Sequence, residues 1–452
     1  MLRWYQERAI DMTRSAIKKK DDRVILCMGT GSGKTYTASH IAKMSSAKGK
    51  RVSIMVNRVE ILEQFFKSLV SVGVTPNIVH GRDRAGNGVN LCMVKTYMRR
   101  HKLMGLQEDL VIVDEAHHGD FKEFLERCRC AVIGLTATPV SSSPGYDLRK
   151  HFRDIVCPVD TRQLIKEGHL VPAKTYSLNH DFSHIKKSGA DFNAKDLVEE
   201  FRSAPRLRKG ALENYQKICP GEKAICYNVN VEESLRYLEI FNEAGFKGRH
   251  VDGRTPEAER KEIFKEFHEG RFDILHNVGV ATTGYDEPSV KCIIENFATT
   301  SLSKHHQCIG RGARPYPGKD EFFIIDMGAN YRRHGQFGDE VRWDSIFKSP
   351  KMSQNKKNDA KKMECEECGA IIDIVSECPY CKNWIPEDRI EEMEEELMTA
   401  AEIKQRKLDN MPEEIRGKPL GAMTRKELMI YAKAMGNSTQ WVNIRMSKRR
   451  WR

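Results

Sequence analysis

From Val24 to about Phe323, short apolar runs alternate with amphipathic segments, the runs being RVILCM, VSIMV, LVIVDEA, AVIGLTATP, KAICYNV, DILHNV and CIIENF. A strand that is apolar at successive positions is covered on both faces, so the pattern predicts an α/β fold of parallel sheets clad in helices. The polar stretch from Tyr176 to Phe201 interrupts the alternation and is expected to be a surface insertion in the second sheet domain. Between Lys348 and Lys362, the text SPKMSQNKKNDAKK carries no periodic apolar residue and reads as a flexible basic linker. Beyond it, Pro386 opens an acidic segment in which Ile390, Met393, Leu397 and Ile403 fall near helical spacing, with the glutamates on the wet face. Thr424 and Glu427 form a capping box for a further helix that Gly436 would stop. The expected division is 1–160 and 161–345 for two sheet domains, 346–362 for the linker, 363–385 for a small cysteine module and 386–452 for a helical tail.

Length agrees, since 452 residues exceed one compact core and suggest about three domains. The 75 lysines and arginines outnumber 63 acids for a formal net charge of +12, which suits nucleic acid as a partner and equally suits simple solubility. The opening MLRWYQERAIDMTRSAIKKK lacks the apolar core of a signal peptide, and no run reaches the roughly 18 apolar residues of a membrane span, so a cytoplasmic protein with no membrane partner is expected. Most of the 13 cysteines stand singly in strand-like runs, as Cys27, Cys226 and Cys292 do, which argues against a disulfide framework.

Chemistry first appears in MGTGSGKT, Met28–Thr35, between the strand RVILC and a helical continuation. Gly29, Gly31 and Gly33, with Thr30 and Ser32 between them, let backbone N–H groups curl around phosphate oxygens; Lys34 reaches the β- and γ-phosphates and Thr35 offers a hydroxyl to Mg²⁺. The general phosphate-loop pattern has Gly or Ala where Met28 stands. Downstream, LVIVDEAHH runs a buried strand into two adjacent carboxylates. Asp114 is expected to hold Mg²⁺ and Glu115 to polarise the attacking water.

With His117, the sequence Asp114-Glu115-Ala116-His117 resembles the DEAH-box branch of superfamily-two helicases, in its bacterial and phage members, and the resemblance extends from Leu2 to about Gly335. It implies two tandem RecA-like domains sharing one ATP site. By the same resemblance, LRWYQ puts Gln6 on the adenine edge; VNRVEILEQ places Asn57 and Arg58, and MVKTY places Thr96, at a nucleic-acid backbone, where short polar groups and a guanidinium suit phosphates. LTATP implies that Thr136 and Thr138 link hydrolysis to domain movement. LIKEGHLVPA, Leu164–Ala173, is similar to the family's entry to its second domain. In VATTGYDEP, Thr283 would approach nucleic acid while Gly284 and Asp286 sit near the ribose. QCIGRGARP carries Gln307, Gly310, Arg311 and Arg314 in the family's Q-x-x-G-R-x-x-R pattern, and the charge spreading over the γ-phosphate in the transition state needs such guanidinium groups.

Cys365, Cys368, Cys378 and Cys381 spell C-x₂-C-x₉-C-x₂-C, the donor set of a closed tetrahedral Zn²⁺ shell, with Gly369 and Pro379 suited to tight knuckle turns. A zinc ribbon is expected, stapling a module too small for its own core. The last run, TQWVNIRMSKRRWR, interleaves Trp441 and Trp451 with cations and suits either nucleic acid or packing on the acidic helix. The whole resembles phage branch-migration helicases. It implies an ATP- and Mg²⁺-dependent motor, here joined to the Zn²⁺ ribbon, on single-stranded, forked or branched DNA, in the host cytoplasm if phage-encoded. An RNA helicase, a duplex translocase subunit of a restriction or remodelling complex, and a non-enzymatic ATP-responsive scaffold are the alternatives; Glu115, Arg311 and Arg314 argue against the last, since a pure binder needs no water-activating group or arginine finger.

Overall fold

The structure is a computed structural model that describes residues 1–19, 22–81, 85–100, 108–141, 143, 145–178, 180–281, 285–349, 362–390 and 422–435, with isolated positions 412, 415, 418 and 442. The chain divides into two compact units, Met1–Ala360 and Lys361–Arg452.

The first sheet is built from β1 (Arg23–Cys27), β2 (Val52–Val56), β3 (Asn77–Val79), β4 (Val89–Met93), β5 (Leu110–Val113), β6 (Ala131–Thr136) and β7 (Asp154–Val156). Its order is β3-β4-β2-β5-β6-β1-β7, with every pairing parallel. Alternation along β1 explains why the run is apolar throughout: Val24 and Leu26 join one core cluster while Ile25 and Cys27 join another on the opposite face. Because β5, β6 and β1 are neighbours, the loops that follow them leave the carboxyl edge side by side. That is where ligands meet an open parallel sheet.

The second sheet contains β8 (Ala173–Ser177), β11 (Ala224–Asn228), β12 (Gly248–Val251), β13 (Ile274–Asn277), β14 (Cys292–Asn296) and β15 (Phe322–Asp326), in the order β12-β13-β11-β14-β15-β8 and parallel throughout. Ile225 and Leu275 share the cluster of Val24 and Leu26, so one apolar core runs through both sheet domains. These are the two parallel-sheet domains expected of a tandem RecA-like fold.

The stretch from Tyr176 to Phe201 is not the surface insertion its polarity suggests. It begins inside β8, continues through a small antiparallel hairpin, β9 (Lys187–Ser188) and β10 (Asp191–Phe192), and enters the helix Ala194–Ser203. Phe182, Ile185, Leu197 and Phe201 are buried in the cluster that also holds Cys226 and Ile294. Four apolar residues spread among polar ones are enough to anchor it. The Asp191 carboxylate accepts from Thr300 N–H and from the Thr299 hydroxyl, both at 2.7 Å, just ahead of the helix Leu302–Ile309.

In the second unit, β16 (Lys362–Glu364) pairs antiparallel with β17 (Ile371–Asp373). The expected capping box is present: Glu427 N–H donates to the Thr424 hydroxyl at 3.3 Å and Thr424 N–H donates back to the Glu427 carboxylate, opening the helix Arg425–Met435. Gly436, Trp441, Trp451 and most of the acidic segment lie outside the described residues, as do positions 350–361 of the linker. Among the described residues no helix is long and apolar enough to cross a membrane.

Gly134 lies inside β6, and a β-carbon there would stand 2.7 Å from the Phe152 ring and 2.8 Å from Ile25 Cδ1. Gly134→Ala is therefore expected to lower unfolding stability by about 1–3 kcal/mol in urea titrations; a variant as stable as the parent would show that this contact relaxes at no cost.

Candidate ATP site and nucleic-acid cleft

The loop after β1 has the backbone that phosphate binding needs. Gly31 and Gly33 both adopt φ of 83°, and Gly33 is the N-cap of the helix Lys34–Ser46, whose first residue is Lys34. The free N–H groups and positive dipole end of that helix therefore face outward from the loop, with Thr35 beside them. Ser32 closes the turn, its N–H and hydroxyl reaching Gly29 O at 3.2 and 2.6 Å. Gln6 is buried against this loop: its amide donates to Ser32 O at 3.4 Å, and a β-carbon on Gly33 would lie 2.5 Å from its Nε2. The neighbours of Gln6 tie in the segment Leu164–Ala173, Trp4 donating to Glu167 at 2.8 Å and Tyr5 packing on His169.

Asp114 ends the run of β5 and is buried, so burial, with Glu115 beside it, pushes its carboxyl up to about 7 against the pull of Lys34. Burial works on Glu115 too, but His117, Lys34 and Arg311 outweigh it and hold that carboxyl below its ordinary range. Glu115 takes φ of 48°, a left-handed turn that costs a non-glycine residue about 1–3 kcal/mol and swings it away from the strand. Its Oε2 is buried without a hydrogen bond, with His117 Nδ1 3.4 Å away. The Asp114 carboxyl, raised by burial with Lys34 pulling it back, fits a divalent cation. Thr35 and Asp114 would hold Mg²⁺, which when bound spreads the charge of the phosphates.

A closed ring of hydrogen bonds joins the two sheet domains. Gln307 donates its amide N–H to His117 Nε2 at 2.9 Å, His117 Nδ1 lies 2.9 Å from the Thr136 hydroxyl, and that hydroxyl donates to Thr138 O at 3.0 Å. The Thr138 hydroxyl meets the Ser303 hydroxyl at 2.7 Å, and Gln307 reaches the same Ser303 at 3.3 Å. All five residues are buried, and burial lowers the His117 imidazole to about 4, so it is neutral and has an acceptor for Gln307. Ser303 was not singled out from sequence; its place four residues before Gln307 on one helix was the available signal.

Arg311 donates to Tyr285 O at 2.6 Å, and Arg314 pairs with Asp286, its Cγ 3.4 Å from where a β-carbon of Gly31 would sit. The Gly310 backbone approaches Thr30 as closely, a β-carbon there standing 2.7 Å from Thr30 Cβ. The arginine-bearing turn of the second domain thus rests on the phosphate loop of the first. Thr283 and Gly284 lie outside the described residues.

Beside this site a cleft of about 700 Å³ opens between the domains, lined by Asn57 and Arg58 from the first and by Gly253, Arg260 and Lys261 from the second. The Asn57 amide donates to Asp120 at 2.9 Å, and burial lowers the Arg58 guanidinium. Thr96 is half-buried on the helix Val94–Arg100 and does not line the cleft.

In the second unit, the four cysteine sulfurs lie within 4.8 Å of one another, with Cys365 and Cys381 at 3.6 Å and Cys368 and Cys378 at 3.8 Å. Four Zn–S bonds of about 2.3 Å in a tetrahedron space the sulfurs by about 3.8 Å, so the set fits. Each C-x₂-C turn closes alike: Gly369 N–H donates to Cys365 O at 2.7 Å and Lys382 N–H to Cys378 O at 3.0 Å, and both residues have positive φ, 75° and 62°.

Residues 1–141 match the family model of the type III restriction enzyme res subunit, and residues 210–316 match the helicase conserved C-terminal domain. The two matched segments fall one on each sheet domain, as the two halves of a helicase motor do. A 51.5 kDa protein of a Lactococcus phage (isolate 7-9) is 28% identical to it over 381 residues, which is 83% of this chain and 80% of that one. The Schizosaccharomyces pombe protein named mitochondrial ATP-dependent helicase irc3 is 26% identical over 354 residues, 74% of this chain but 58% of its own, so this chain spans little more than half of that relative. Among solved structures, a fragment of a type I restriction enzyme HsdR subunit from Vibrio vulnificus YJ016 shares the fold with a TM-score of 0.61 at 20% identity, covering 75% of this chain and 67% of that one. The helicase motor makes this protein a nucleic-acid-dependent ATPase.

Thr138→Val removes the hydroxyl that meets Ser303 and keeps the shape of the side chain. It should lower nucleic-acid stimulation of ATP turnover by about ten-fold while nucleotide affinity, read by a fluorescent analogue, stays within two-fold; full stimulation would mean the ring does not couple the domains.

Proposed function

We propose that this protein is an ATP-dependent DNA helicase or translocase of the DEAH branch that unwinds or remodels forked or branched DNA during replication, recombination or repair. The observation that carries the reading is that the ATP site and the neighbouring cleft are made by the same two domains, joined by the ring through His117. Lys34, Thr35 and Asp114 take the phosphates and Mg²⁺ on one side, Glu115 accepts a proton from the attacking water, and Arg311 and Arg314 supply positive charge from the other. Gln6 reads the base; Gly284 and Asp286 serve the ribose side. Nucleotide favours the closed arrangement in which the arginine-bearing turn meets the phosphate loop, and the cleft changes shape with it. Asn57, Arg58 and Thr283 contact the strand, and Thr96, which does not line the cleft, is not assigned to it. The restriction-enzyme family model and the phage relative support DNA as the track and host cytoplasm as the setting. They also favour a second reading, a duplex translocase that moves without separating strands.

The four cysteines hold a structural Zn²⁺ with no open position for catalysis. Cys365→Ser is expected to reduce zinc from about one equivalent towards none by metal analysis, and an undiminished metal content would rule that ligand out. Glu115→Gln should cut DNA-stimulated ATP turnover by about a hundred-fold or more, and Lys34→Ala should abolish it; turnover unchanged in either variant would remove the site assignment. A panel of forks, four-way junctions, plain duplex and RNA duplex separates the readings: strand separation on forked DNA supports the first, ATP turnover on duplex without separation the second, and unwinding of RNA alone would overturn both.

A further inference from the structure

Among the described residues, the charges lining the cleft between the domains balance, which is unexpected for a groove that takes a polyanion. Its charged lining consists of Arg58, Lys67, Arg260 and Lys261 against Glu60, Glu63, Glu257 and Asp286. Two of the cations are engaged across the cleft. Arg260, on the helix Glu257–His268 of the second domain, pairs with Glu60 at 3.5 Å, and Lys261 pairs with Glu63 at 3.0 Å, both acids lying on the helix Val59–Ser71 of the first domain. Lys261 also contacts Glu257 on its own helix at 2.9 Å. The side chains of Lys261 and Glu63 are about half exposed, at 53% and 47%, so the pair is screened and weak enough to exchange with another anion.

Resting on the reading of this cleft as a nucleic-acid path, the geometry points to a displaceable electrostatic latch: Glu60 and Glu63 occupy, in the free protein, the positions that two backbone phosphates of a bound strand take on Arg260 and Lys261. An isolated basic groove would bind any strand and release counterions for each contact. Here an internal anion leaves as a phosphate arrives, so these two contacts add little net affinity, and the strand trades a link between the domains for a link to itself. The domains are held together when the cleft is empty and are joined through the strand when it is filled.

The latch is tested on the full chain with a fluorescent single-stranded DNA oligonucleotide. Removing the competitors in Glu60→Gln/Glu63→Gln should tighten binding by about five- to ten-fold at low salt, a gain that misfolding cannot imitate and that shrinks above about 0.15 M salt. Arg260→Gln/Lys261→Gln, which removes contacts of little net affinity, should change binding by less than about two-fold, and in that background the two glutamate substitutions should likewise change it by less than about two-fold. Equal tightening with and without the cations would reduce the effect to bulk charge and overturn the latch, as would no tightening in the glutamate variant. Parent protein that binds no strand would instead fail the nucleic-acid reading, and the latch with it.

Discussion

A neutral imidazole buried between two domains is the part on which the rest of the motor turns. Only in its uncharged form can His117 keep a proton on Nδ1 for Thr136 and an open lone pair on Nε2 for Gln307, and its burial secures that form by lowering the ring to about 4. The same ring stands 3.4 Å from Glu115. The group proposed to receive a proton from water and the group that connects the domains are therefore adjacent, and a change in one is felt electrostatically by the other. A buried ring of five polar residues is costly if any member loses its partner, which makes the arrangement all-or-none and not graded.

Much of this was readable from residues alone, for identifiable reasons. Strands β1, β2, β5, β6, β11, β13 and β14 stand out because helices cover both of their faces, leaving no polar alternation to blur the run. The phosphate loop and the paired carboxylates stand out because chemistry restricts them to a few residue types in a fixed order. The capping box at Thr424 was equally local. What escaped was set by contacts distant in sequence. Lys261 and Glu63 are 198 positions apart, and nothing near either residue specifies the partner. Asp191 reads as an ordinary loop acid until the fold brings Thr299 and Thr300 to it. Lys382 escaped for a different reason, since a left-handed turn is expected at glycine and the second cysteine knuckle uses lysine there.

The ribbon repeats one local solution twice. Both C-x₂-C turns close with a backbone bond to the first cysteine carbonyl from a left-handed residue four positions on, so the same local backbone bond shapes both halves of the four-sulfur set. Its sheet is only two short strands, and burial on this scale gives little stability without a crosslink or metal.

The packing of Gln6 on Gly33 carries a consequence for fuel choice. On the proposed reading, the side chain that recognises the base touches the backbone of the phosphate loop, so the two ends of a bound nucleotide would be gripped by one piece of protein. A purine of the wrong edge pattern would misplace Gln6, and through it the loop at Ser32 and Gly33 would be disturbed. Discrimination between nucleotides would then be felt in the rate of the chemical step as well as in the strength of binding.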